Sequence, residues 1–168
     1  ALPREQLNEN IRKKIQNIDT IIQKAADETR KISHSLDSGL LKHFGLEVSL
    51  RDLAATLEEL THLKTNFDIQ LSGNLSNKLN TEVYRIIQEL INNTLKHAQA
   101  KIIRLEVLEL QGKYLNIIYE DDGLGFDLHD KQLKKGIGLS NIENRVSKLN
   151  GRSTMDTKPG NGMTLIIE

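Results

Sequence analysis

The stretch QELINNTLKHA, Gln88 to Ala98, sets a Glu, two Asn, a Lys and a His inside a segment whose apolar residues keep helical spacing. At about 100° per residue, Val83, Ile87, Leu90, Ile91, Thr94 and Ala98 gather on one side of a helix running from roughly Asn77 to Ala98. Glu89, Asn93 and Lys96 share a narrow arc on another side, with His97 at its edge. A solvated face has little use for Asn, a mediocre helix former that Glu, Lys or Gln would outperform. On this helix alone, a solvated face and a ligand-binding face both remain open.

The flanking sequence gives the helix its setting. EVSLRDLAATLEELTHLKT carries Leu50, Leu53, Ala54, Leu57 and Leu60 at helical spacing, and NFDIQLSG follows as a short alternating strand ending at Gly73. Downstream, KIIRLEVLEL and KYLNIIYED read as two strands joined through Gln111-Gly112. A Gly-rich stretch comes next, then a helix from about Leu139 to Leu149, a turn at Asn150-Gly151, and the closing strands RSTMDT and GMTLIIE. Helices and strands mix in an α+β order, and neighbouring strands are expected to be antiparallel.

Two further elements could serve a ligand. In DDGLGF, Asp121 to Phe126, a carboxylate at a strand end can accept from an amino group, and two glycines let the backbone approach a flat ligand such as a purine. Turns often contain Asp and Gly, so the motif is weak by itself. In GIGL, Gly136 to Leu139, glycines open directly into a helix, whose first N–H groups and positive dipole end suit an anion. Neither the GxxxxGK[ST] phosphate loop nor a GxGxxG after a strand is present, and DDG lacks the alternating oxygen ligands of a Ca²⁺ loop.

Composition narrows the classes. The chain of 168 residues balances 23 Lys and Arg against 23 Asp and Glu, so nothing suggests general attraction to nucleic acid or an acidic membrane surface. A phosphate bound here must be held locally. The absence of cysteine excludes disulfides and thiolate metal sites and fits a reducing, cytoplasmic setting. No apolar run approaches the roughly 20 residues needed to span a bilayer. The sequence opens inside helical sequence and closes in TLIIE, as expected of a fragment of something longer.

From about Arg4 to Leu36, Ile11, Ile18, Ala25 and Ile32 alternate with Ile15, Ile22, Thr29 and Leu36 at spacings of four and three. That stripe predicts a bundle or coiled-coil helix roughly 50 Å long, one that protrudes and pairs with a copy of itself. Gly39 and Gly45 interrupt the pattern, giving expected boundaries of a bundle helix over 1–38, a connector over 39–46 and a globular domain over 47–168.

Taken together, QELINNTLKHA, DDGLGFD and GIGLSNIENRV resemble the N, G1 and G2 boxes of a Bergerat-type (GHKL) ATP-binding domain, in the order and spacing of bacterial sensor histidine kinases. The helix boxes and the short segment between G1 and G2 are most similar to the subfamily that signals to response regulators with helix-turn-helix output domains. RKISHSLDSGLLKHFGLEVSLRDL resembles that subfamily's second dimerisation helix and connector.

The resemblance implies a two-layer sandwich, a mixed and mostly antiparallel sheet on about three helices, preceded by the bundle helix. It implies ATP and Mg²⁺ as cofactors, with Asn93 as the Mg²⁺ ligand and Glu89 as the catalytic general base or water-orienting carboxylate beside the γ-phosphate. Lys96 and His97 would lie near the phosphates, Asp121 would accept from the adenine amino group, and Gly123 and Gly125 would shape the base pocket. Gly136, Gly138 and Leu139 would close on the triphosphate, with Asp127 to Lys135 as a lid whose Lys131, Lys134 and Lys135 could assist. It further implies a phosphorelay to a response regulator's receiver domain, a homodimer through the N-terminal helix, no direct nucleic-acid binding, and a cytoplasmic domain compatible with a membrane-anchored parent.

The chain departs from the pattern twice. The phosphoacceptor segment of the first dimerisation helix is missing, and His34, at the end of the second, reads as a solvated bundle histidine; the fragment is not expected to phosphorylate itself. Many relatives have Gly-Thr where this chain has Gly162-Met163, which leaves Thr164, one place later, as the adenine-contacting hydroxyl. Rival readings are an ATP-driven clamp, an anti-sigma serine kinase, and a nucleotide-binding pseudokinase or dimerisation module on the same fold.

Overall fold

The computed structural model describes residues 38–72, 75–111, 114–128 and 137–168. The heptad segment with His34, most of the lid with its lysines, and Gly136 lie outside the described residues. Leu40–Glu168 forms one compact unit, and Ser38 and Gly39 belong to a separate one. Three helices and five strands are described: α1 (Ser38–Leu60), β1 (Lys64–Gln70), α2 (Asn77–Asn93), β2 (Ile102–Leu110), β3 (Tyr114–Asp121), α3 (Ile137–Lys148), β4 (Ser153–Thr157) and β5 (Met163–Ile167). None of the described helices is long and apolar enough to cross a membrane.

The expected connector is helical as far as Phe44 and breaks at Gly45, whose φ of 81° no helix accommodates. Ser49 marks the restart, its hydroxyl donating to the Gly45 carbonyl at 2.9 Å. Beyond the break, Leu46, Leu50, Leu53 and Leu57 fall on one face and are buried, as the leucine spacing requires. α2 opens on Ser76, whose hydroxyl caps the Leu79 N–H, a contact worth about 1 kcal/mol. Its Val83, Ile86, Ile87, Leu90 and Ile91 are all buried.

The strands form one sheet in the order β1-β2-β3-β5-β4. Alternation assigns Ile103, Leu105, Val107, Ile117, Tyr119, Leu165 and Ile167 to the buried face, and Arg104, Glu120 and Thr164 to the other. Three strand pairs are antiparallel, but β1 and β2 run parallel, with Lys64 opposite Ile102 and Gln70 opposite Leu108. The expectation that neighbouring strands are antiparallel fails for this one pair, which makes the sheet mixed, as the resemblance implies. The connection between these two strands is α2 itself, and a strand regained through a crossover helix returns in the same direction.

The result is the expected α+β sandwich of a mixed, mostly antiparallel sheet and helices. Ile142 and Val146 of α3 complete the core, and Arg145 reaches α2, its Nη1 2.6 Å from Glu82 Oε2. α3 ends where Asn150 turns left-handed at φ 57° and Gly151 N–H returns to the Val146 carbonyl at 3.0 Å.

Candidate functional site

The end of α2 meets both glycine-bearing segments. After Asn93 the helix widens into a π turn over Thr94–Ala98 and stops at Gln99, which is left-handed at φ 52°. Turns of this kind recur at functional sites. The 100° wheel therefore holds through Asn93 and not beyond it. Lys96 and His97 sit in the wide turn, and both are exposed.

Leu124 N–H donates to the Ala98 carbonyl at 2.7 Å, so the DDGLGF loop caps the end of the wide turn. Gly123 makes that approach possible, because a Cβ there would stand 2.5 Å from both Ala98 Cβ and the Ala98 carbonyl oxygen. Gly125, at φ 58°, lies against the backbone carbonyls of Lys158 and Gly162. Thr157 fastens this side of the loop: its hydroxyl accepts from Phe126 N–H at 3.1 Å and donates to the Gly162 carbonyl at 2.7 Å.

Asp121 ends β3 on the helix-facing side and is buried. Its Oδ1 accepts from Gly123 N–H at 2.9 Å and its Oδ2 from the Thr94 hydroxyl at 3.0 Å. The same Thr94 oxygen lies 2.7 Å from the hydroxyl of Tyr119, two residues before Asp121 on the same strand face. Tyr119 and Thr94 are both buried. Burial pushes the Tyr119 phenol well above its ordinary value, the Thr94 hydrogen bond pulls it back in part, and the Asp121 charge pushes it up again. The phenol stays protonated.

Asp122 does different work. Its Oδ1 accepts from the N–H groups of Lys101 and Ile102 at 2.7 and 2.8 Å, pinning the start of β2 to the end of β3. Burial alone would raise this carboxyl, but the donated N–H groups of Ile102 and Lys101 prevail and hold it below the usual carboxylate range.

The beginning of α3 closes the other side. A Cβ on Gly138 would collide with Glu89 Oε1 and stand 3.1 and 3.2 Å from the amide atoms Oδ1 and Nδ2 of Asn93. Any larger residue would have to displace the end of the Glu89 side chain and crowd the Asn93 amide. The Asn93 Nδ2 is buried with no hydrogen-bond partner among the described residues. An amide left in that condition costs on the order of 1–3 kcal/mol, and the amide oxygens of Asn80 and Asn116 are likewise buried without a partner among the described residues. Leu139, next to Gly138, is half-buried and packs on the core.

The donor set suits Mg²⁺. No cluster of three or more His, Cys, Asp or Glu able to hold a metal occurs among the described residues. Mg²⁺ needs none, since it commonly takes one or two protein oxygens and completes its shell with water and phosphate. The Asn93 amide oxygen is the type of donor such an ion takes.

Thus Glu89, Asn93 and Gly138 come together, as do Asp121, Gly123 and the wide turn of α2. Thr164 lines a cavity with Asp121 and Asp122 but stands apart from Glu89, Asn93 and Gly138. It pairs with Glu120 and Asp156 on the opposite sheet face, and Met163, buried, is the cross-strand neighbour of Asp121. The hydroxyl that touches the Asp121 carboxylate is supplied by Thr94 from the helix layer. Thr94, Tyr119 and Asp122 were not singled out in the sequence. Thr94 counts as apolar-face spacing on a helical wheel, and only its position within a polar motif hints at more.

Comparison with known proteins agrees with this geometry. Residues 79–168 match the family model described as histidine kinase-, DNA gyrase B- and HSP90-like ATPase. The chain is similar to the sensor histidine kinase ComP of Bacillus subtilis, 34% identical over 95% of this chain and 21% of ComP. It is also similar to the signal transduction histidine-protein kinase/phosphatase DegS of Brevibacillus brevis, 30% identical over 92% of this chain and 40% of DegS. It therefore spans less than half the length of these curated relatives. In fold it resembles the histidine kinase domain of the Erythrobacter litoralis EL346 blue-light activated histidine kinase, with a TM-score of 0.61 at 19% identity over 73% of this chain and 63% of that one. The chain belongs to the histidine kinase-, DNA gyrase B- and HSP90-like ATPase family.

Proposed function

We propose that this domain binds Mg·ATP and presents its γ-phosphoryl group to a histidine on a bundle helix outside this sequence, for onward transfer to an aspartate of a response regulator's receiver domain. The observation that carries the reading is the convergence on one helix end: Gly138 packs on Glu89 and Asn93, and the next residue, Thr94, holds Asp121.

In this reading Asp121 accepts from the exocyclic amino group of the base, and Gly123 and Gly125 give the ring room. The Asn93 amide oxygen would hold the Mg²⁺ ion, which would supply positive charge beside the phosphates. When bound, Mg·ATP supplies an electrophilic phosphorus whose developing charge is already partly neutralised. Glu89 orients the incoming nucleophile or takes its proton, while Lys96, His97 and the start of α3 at Gly138 and Leu139 attract and enclose the phosphates; the motif assigns Gly136 the same role. The contribution of the chain is position and charge, which is how phosphoryl transfer is generally accelerated. The full protein would dimerise through its bundle helices in the cytoplasm, with no contact to nucleic acid.

Incubation of the chain with γ-labelled Mg·ATP tests the assignment. A parent that includes the preceding bundle helix should take label on a histidine there and pass it to a receiver aspartate, and the present chain should take none. Rapid labelling of His34 would overturn the assignment of the acceptor to another helix.

A further inference from the structure

The Asp121 carboxylate is tethered at both oxygens, and one tether is itself held by a phenol. Thr94 has a single proton. Because it donates to Asp121 Oδ2, the 2.7 Å contact with Tyr119 must be a donation from the phenol to the Thr94 oxygen. The order is Tyr119 O–H to Thr94 Oγ1, and Thr94 O–H to Asp121 Oδ2, with Gly123 N–H on Oδ1. Every proton in this chain points toward the carboxylate. Tyr119 is fully buried, so its hydroxyl has no water to turn to and the direction of the chain is fixed.

An aspartate torsion about its terminal bond is otherwise broad and roughly two-fold. A freely turning carboxylate could follow a donor at either of two neighbouring positions on a purine edge: an exocyclic amino group at C6, or the ring N–H at N1 of a 6-oxopurine. A carboxylate pinned at both oxygens keeps its plane, and with it the directions of the lone pairs that remain, fixed. We infer that Thr94 and Tyr119 are positioning residues that set base selectivity, fixing the Asp121 carboxylate so that it accepts from a 6-aminopurine and rejects a 6-oxopurine. This inference rests on the nucleotide-site reading above. Selectivity of this kind comes from an acceptor that cannot adapt to the wrong edge.

The test is the ratio of affinities of the chain for Mg·ATP and Mg·ITP, which differ at the C6 substituent and the N1 proton. Thr94→Val should lower the preference for ATP about tenfold, chiefly by admitting ITP, and Thr94→Ser, which keeps the hydroxyl, should restore it. Tyr119→Phe should move the ratio the same way by a smaller factor, and should change nothing further in the Thr94→Val background, since the two act through one bond chain. Should Thr94→Val not fold, Tyr119→Phe decides: an unchanged ratio overturns the inference. Variants that weaken both nucleotides equally also overturn it, leaving the pair a purely structural role. A wild-type chain that binds neither nucleotide would instead overturn the underlying site, and is distinguishable for that reason.

Discussion

Gly138 at the start of α3 lies so close to Glu89 of α2 that a methyl group on it would collide with the Glu89 carboxylate. The contact joins two segments that sequence separates by nearly fifty residues, and it sets the width of the space between them. Gly138→Ala should therefore separate stability from binding. Alanine favours a helix over glycine by about 1 kcal/mol, so the melting temperature should hold or rise slightly. The affinity for Mg·ATP should fall roughly tenfold as Glu89 and Asn93 are pushed aside. Calorimetric titration beside thermal unfolding measures both.

Asn93 carries the opposite imbalance. Its buried Nδ2 has no partner among the described residues, which costs stability before any ligand arrives. Asn93→Ala should leave the unfolding temperature unchanged or raise it, by up to roughly 1 kcal/mol of stability. A large loss of stability in this variant would show that the amide serves the fold.

Asp122 titrates in a way that can be followed. Its folded value lies below the ordinary carboxylate value, so its contribution to stability is fully present above that ordinary value and is lost as pH falls through the folded one. Asp122→Ala should lower the melting temperature at neutral pH, and the gap to wild type should close in strong acid. Thermal scans from pH 7 down to about pH 2 measure the convergence.

The Arg145 to Glu82 pair couples α3 to α2 through partly buried side chains. Arg145→Ala should cost roughly 0.5–1 kcal/mol at low ionic strength, and less in concentrated salt. Denaturant melts at two salt concentrations distinguish this from a packing loss, which salt would not relieve.

Much of this arrangement was legible in the chain. The leucine spacing of α1, the alternation of β2 and β3 and the apolar face of α2 follow from periods of 3.6 and 2, and the structure buries most of those residues; Leu60, at the end of α1, is the exception and stands exposed. The parallel pairing of β1 with β2 cannot be read from alternation, which reveals which face a strand buries but not its direction; direction is set by the crossover through α2. At the site, motif spacing drew attention to Glu89, Asn93 and Asp121 because their chemistry is visible in isolation. The roles of Thr94 and Tyr119 exist only once a wide turn of one helix is set against one strand, and a helical wheel places Thr94 among core positions. Asp122, beside Asp121 in sequence, faces the other way and ties strands together, a division that adjacent identical residues cannot disclose.

The central claim, that this helix end is a nucleotide site, is tested most directly by Mg·ATP titration of the wild-type chain beside Asn93→Ala, Asp121→Asn and Asn92→Ala. The account predicts saturable binding by the wild type, loss of at least tenfold in affinity for Asn93→Ala and Asp121→Asn, and near wild-type affinity for Asn92→Ala, whose side chain leaves the helix about 100° away from that of Asn93. No binding by the wild type, or equal binding by all four proteins, would contradict it.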